Sequence, residues 1–116
     1  MMKLSGEGKL LRIFLGEGDH IEGQQLFEAI VHLARSRGLA GATVLRGVEG
    51  FGAHSRIHKS AILELSEDLP ILIEIVDTNE KVEALLPEID AIIEKANCGV
   101  MMTVEKVDVR KYAAGK

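Results

Sequence analysis

The chain of 116 residues has no tryptophan, one tyrosine (Tyr112) and three phenylalanines. Its core must therefore be aliphatic. A sheet that stacks nucleic-acid bases needs exposed aromatics on its central strands, and Phe14 is the only candidate. There is a single cysteine, Cys98, so no intramolecular disulfide can form, which fits a reducing compartment. No segment approaches the roughly 18 consecutive apolar residues that span a bilayer. The first residues, Met1-Met2-Lys3-Leu4-Ser5-Gly6-Glu7-Gly8, lack the apolar stretch of a signal peptide. Positive charge is not in excess either: 14 Lys+Arg stand against 18 Asp+Glu, a net −4, which argues against a nucleic-acid partner. A soluble, cytoplasmic protein of one domain, residues 1–116, is expected, and with 47% hydrophobic residues it can bury a core.

The apolar pattern divides the chain cleanly. Residues 1–8 read as a loose arm. Over 9–15, Leu11, Ile13 and Leu15 share one face and Leu10, Arg12 and Phe14 the other, a strand with apolar residues on both sides. Gly16-Glu17-Gly18-Asp19 breaks it. The spacing of Leu26, Phe27, Ile30, Val31 and Ala34 predicts a helix over 22–38, with Arg35 and Arg37 in its last turn and Gly38 as its stop. His20 and His32 take no role. A strand follows over 41–48, then a loop, then a returning strand near 57–65. Glu67-Asp68-Leu69-Pro70 reads as a turn. The nearly unbroken apolar run Ile71–Val76 implies a strand covered on both faces. A second helix is predicted over 79–96, capped by Thr78 or Asn79, with Pro87 kinking it or opening a second segment. A last strand covers 100–107. The order strand, helix, strand, strand, helix, strand is an α+β, ferredoxin-like βαββαβ sandwich: an antiparallel sheet with two helices on one face. The first, third and last strands carry apolar residues on both parities, so the face without helices needs cover, and the chain should not be a monomer.

The stretch Gly41–Lys59 carries the chemistry. Its strand ends among Gly47, Gly50 and Gly52, with Arg46, Arg56 and Lys59 around them against one anion, Glu49. Glycine lets other groups approach the backbone, exposed N–H groups are directed donors, and the cations add charge: a cradle for an anion. The alternative is a mobile hairpin tip with solvated charges.

The run Gly41-Ala42-Thr43-Val44, then Gly50-Phe51-Gly52, then a polar loop resembles the strand and T-loop start of PII signalling proteins. Leu69-Pro70 followed by Ile73-Glu74-Ile75-Val76 resembles the strand returning from that loop. From about residue 9 to about 112 the chain is similar to the PII-like family of small proteins called DUF190 or UPF0166. The resemblance implies a homotrimer, with the sheets facing a central axis, and an adenine nucleotide as ligand in the cleft between subunits; no cofactor is required. Residue by residue, Thr43 matches the family threonine, and Gly50, Phe51 and Gly52 match the base of the T-loop, here segment 49–60. The interval from Thr43 to Gly50 is one residue longer, which Gly47 or a bulge must absorb. Gly99 matches a glycine before the last strand, but Val100 follows where PII has lysine. Of two alternating C-terminal arginines only Arg110 remains, Asp108 standing at the other place. Each missing cation removes a charge-assisted phosphate contact, so ADP or AMP is expected before ATP, with Arg46 and Arg56 compensating. No tyrosine stands in the loop, so uridylylation there is not expected. The implied function is signalling: the nucleotide orders the loop, which presents or withdraws a surface for an unknown target protein, with membrane transporters or metabolic enzymes as the classes such relatives act on.

Two other classes compete with this reading. His54 and His58, four apart, could ligate a metal on a helix, but no Cys or acidic third ligand is near; an oligomeric metal- or small-ligand-binding protein without a signalling loop is the alternative. Catalysis finds no Ser/His/Asp set, no paired catalytic carboxylates and no Cys98 flanked by bases on both sides, so no enzyme is expected.

Overall fold

The computed structural model describes residues 6–52, 68–113 and 115. Strand β1 (Gly6–Gly16) is the axis of the sheet. It pairs antiparallel with β5 (Pro70–Asp77) on one side and β6 (Met101–Val109) on the other, and β4 (Thr43–Arg46) adds to the far edge of β5. The strand order β4-β5-β1-β6 is that of the expected sandwich. Helices α1 (Leu26–Ser36) and α2 (Asn79–Ala96) lie on one face. There Leu11, Ile13 and Leu15 stand opposite Ile75, Ile73 and Ile71. Leu26, Ile30 and Ala34 from α1 and Val82, Leu85 and Ile89 from α2 close over them, all buried. The core is aliphatic, as the scarcity of aromatics requires.

Where element ends differ from the sequence expectation, a local cause is visible. The predicted helix 22–38 loses its first turn to a small hairpin, β2 (His20–Ile21) against β3 (Gln24–Gln25). Its two-residue turn, Glu22-Gly23, has φ of 48° and 84°. Positive φ at both turn residues matches the twist of a hairpin and is incompatible with a right-handed helix. The other end holds: Gly38 has φ 76°, its N–H donates to Arg35 O, and Leu39 N–H donates to Ala34 O, the paired bonds of a glycine-terminated helix. Strand β4 is shorter than the expected 41–48. Gly47 N–H still reaches Pro70 O at 2.7 Å, but proline has no N–H to return, so the ladder ends. Gly6–Gly8, expected in a loose arm, are part of β1, because β6 runs on to Val109 and supplies partners for them. Thr78 caps α2, accepting from Lys81 N–H at 3.2 Å. The helix continues through Pro87 as one element and ends at Asn97, φ 56°. The returning strand expected near 57–65 lies outside the described residues.

The face without helices is banded rather than uniformly apolar. The strand registers place Leu45, Leu72, Phe14 and Met101 in one row across all four strands. The next row is Thr43, Glu74, Arg12 and Thr103. Within it Arg12 donates to Glu74 at 2.9 Å, and it reaches on to Glu105 at 2.7 Å. None of the described helices is long and apolar enough to cross a membrane.

Candidate functional site

The chain opens a cleft of about 420 Å³ at one end of the sheet. Antiparallel register makes it. The end of β1 (Phe14 to Gly16), the end of β4 (Leu45, Arg46), the beginning of β5 and the beginning of β6 all arrive at the same edge. Gly47, Gly50, Phe51 and Gly52 form one wall, and Gly99, in the turn between α2 and β6, contributes to another. Six of the nine residues expected at the site thus meet around one space: Arg46, Gly47, Gly50, Phe51, Gly52 and Gly99. Thr43 does not line it, lying on β4 opposite Glu74. Arg110 follows the far end of β6, where Val109 pairs with Gly6, at the opposite end of the sheet. Its Nε is 3.9 Å from Asp108 and its side chain is exposed. Arg56 lies outside the described residues, as do His54 and His58. Among the described residues no three His, Cys, Asp or Glu side chains are grouped to hold a metal.

The glycines do different work from one another. A Cβ on Gly47 would stand 2.8 Å from Pro70 Cγ, and one on Gly50 3.1 Å from the same atom. These two are glycine because the segment packs down on the Pro70 ring. A Cβ on Gly52 would meet none of the described residues within 4 Å. The close approach at Gly47 is therefore to the protein's own β5, a role that motif spacing did not reveal.

Sequence reasoning also missed the apolar lining. Phe14, Leu45, Leu72 and Met101 border the cleft, and they are the first apolar row of the open sheet face. The signal was available in the alternation of β1, but only the strand pairing shows that these residues converge. Among the described residues, charge around the cleft is sparse. Arg46 is the one cation among the described residues lining it, and its guanidinium is ion-paired with Glu17. Asp68 lines the cleft as well, its Oδ1 accepting from Gly18 N–H at 3.0 Å.

Cys98 precedes the cleft glycine Gly99. Burial pushes its thiol pKa up, and the negative charges of Asp19 and Asp68 push the same way, against a hydrogen bond from the His20 backbone. Lys95, the cation nearest in sequence, is tied to Glu22 at 2.7 Å. The thiolate is the reactive form, so alkylation of Cys98 at pH 8 should run slower in the native protein than in the urea-unfolded chain. The native rate should climb only above the ordinary thiol range. Equal rates in both states would refute this account of its surroundings.

A family model, DUF190 (Uncharacterized ACR, COG1993), matches residues 8–109. A UPF0166 protein of Aquifex aeolicus is 38% identical over 101 residues, covering 87% of this chain and 91% of that one. Among solved structures, CPII of Thiomonas intermedia bound to ADP and bicarbonate superposes with a TM-score of 0.64 at 25% identity, covering 90% of each chain. The structure of CPII bound to ADP, AMP and acetate gives 0.65 at 24% identity, over 95% of this chain and 94% of that one. The sandwich, its strand order and the match along nearly the whole chain lead to one assignment: this chain belongs to the DUF190 (UPF0166) family and has the fold of PII-like proteins.

Proposed function

We propose that this protein is a PII-like regulator that binds an adenine nucleotide, ADP or AMP in preference to ATP, in the cleft at the end of its sheet. The observation that carries the reading is the make-up of that cleft. Apolar side chains offer a slot for a base, the 47–52 segment puts backbone along one wall, and one arginine stands at the rim. CPII, which shares the fold, has been crystallised with ADP and with AMP. The scarcity of cations among the described lining residues favours ligands with few phosphates, since each unpaired phosphate charge forgoes a charge-assisted bond.

In this reading the protein acts as a homotrimer. The open sheet face, with the cleft at its end, meets the neighbouring copies, and Arg110, too far along β6 to reach its own cleft, serves that of a neighbour. Segment 49–60 would then change its order with the ligand and contact a target protein. Calorimetry with AMP, ADP, ATP and cyclic nucleotides tests the reading, with a divalent-metal titration beside it and the mass in solution measured by light scattering. Saturable binding of ADP and AMP to a trimer is expected, with ATP weaker. Gly52→Val should weaken ADP by about tenfold with little change in melting temperature, because no described residue stands within 4 Å of the added Cβ and Gly52 lines the cleft. A monomer, or an oligomer that gives heat with metal and none with nucleotide, would overturn the proposal.

A further inference from the structure

We propose that Glu17 is a specificity-determining residue of the cleft: its carboxylate competes with ligand phosphate for Arg46 and so limits the anionic charge the site accepts. The inference deepens the nucleotide reading and rests on it for the identity of the natural ligand. Its physical content, competition between a carboxylate and an anion for one guanidinium, does not depend on an adenine.

Glu17 is not a casual surface partner. Its side chain is 15% exposed, against 59% for Arg46. Its backbone is pinned on both sides: the N–H donates to Leu69 O at 2.8 Å, and the carbonyl accepts from Gln25 Nε2 at 3.3 Å. The residue follows directly on Gly16, where β1 ends at the cleft. The carboxylate is thus delivered by the end of the central strand to the one cation, among the described residues, that borders the cleft. Asp68 adds a second carboxylate on the cleft wall. Among the described residues that line the cleft, Arg46 is paired with Glu17 and Asp68 adds a negative charge.

An arriving phosphate must either displace Glu17 from Arg46 or share the guanidinium with it. Displacement gives up an ion pair already made. Sharing places two like charges within a few ångströms, at partial burial where salt screens them only in part. The cost of displacement is the same for every ligand, but the cost of sharing grows with each negative charge on it, and it is sharing that makes Glu17 selective. Rejection of an over-charged ligand by a built-in anion is specificity obtained by repulsion, and it needs no extra contact to the accepted one.

The test is calorimetry on Glu17→Gln, which keeps the side chain's size and one acceptor, with inorganic pyrophosphate, AMP, ADP and ATP at low salt. Glu17→Ala serves as the second variant, and both should agree in sign. Removing the carboxylate should tighten pyrophosphate and ATP by about tenfold and AMP by about threefold or less, with the gain shrinking as salt rises. Tighter pyrophosphate with no nucleotide bound by either protein would uphold the role of Glu17 and overturn the nucleotide reading. Nucleotides bound equally by wild type and variant would overturn the inference alone, as would weaker binding in the variant, which would make Glu17 a support for Arg46. An equal gain for AMP and ATP would overturn it too, because repulsion must scale with charge. No anion bound by either protein overturns both.

Discussion

Replacing Asp77 by alanine is expected to cost roughly 2–4 kcal/mol of unfolding free energy, read from urea denaturation at fixed protein concentration. Asp77 is the last residue of β5 and has no solvent exposure. One carboxylate oxygen accepts from Ala40 N–H at 2.7 Å, the other from Thr78 N–H at 2.6 Å. The first bond ties the connection between α1 and β4 to the sheet; the second holds the residue that caps α2. Alanine deletes a charged acceptor from both and strands two N–H groups in a part-buried setting, which is the expensive way to lose a hydrogen bond. Asparagine at this position separates charge from geometry. It keeps one acceptor but turns an NH2 group toward the other donor, so its loss should fall between wild type and alanine. A change below about 0.5 kcal/mol for alanine would show that the connection is held by something else. Because the connection sets where β4 begins, the same variant should loosen the outer edge of the cleft.

How much of this was legible beforehand depends on the range of the interaction responsible. The helices and inner strands could be read because their evidence is local: Leu11, Ile13 and Leu15 alternate, and Val82, Leu85 and Ile89 keep a helical period. The order of elements then restricts the sheet to few topologies. Errors arose where a neighbour in space decided the outcome. The early end of β4 at Arg46 is a property of Pro70, reached only across the β4–β5 ladder. Gly47 looked like an anion-loop glycine because the sequence shows its freedom but not the proline ring beside it. The pairing of Arg46 with Glu17 spans 29 positions and had no sequence signature. The hairpin at 20–25 is a different failure: Glu22-Gly23 is a turn signal, but it fell inside an apolar period that also fits a helix. The sequence reading, through the resemblance for Gly50, Phe51, Gly52 and Gly99 and through the glycine-and-cation pattern for Arg46 and Gly47, located six residues at one cleft. It could not tell which of them face a ligand and which face the protein.

That distinction makes Gly47→Val the sharpest probe of the cleft wall. The added Cβ would begin 2.8 Å from Pro70 Cγ, inside any real contact distance, before the two methyl groups are counted. Neither side yields easily: the proline ring is rigid, and the Gly47 N–H bond to Pro70 O fixes the backbone at the same place. Overpacking of this kind costs about 1–3 kcal/mol, and relief requires the 47–52 segment to lift away from β5. Since that segment is a wall of the cleft, nucleotide affinity should fall by more than about tenfold, well beyond what the loss of stability accounts for. Gly47→Ala should act in the same direction with a smaller loss. The cause is isolated by adding Pro70→Ala, which removes the obstructing ring. If the clash is the mechanism, the double variant Gly47→Ala/Pro70→Ala should be more stable than the sum of the single changes by about 1 kcal/mol, and part of the affinity should return. Additive effects would mean that Gly47 is needed for its backbone conformation or for direct contact with the ligand. Full stability and unchanged affinity in Gly47→Val would remove this wall from the site.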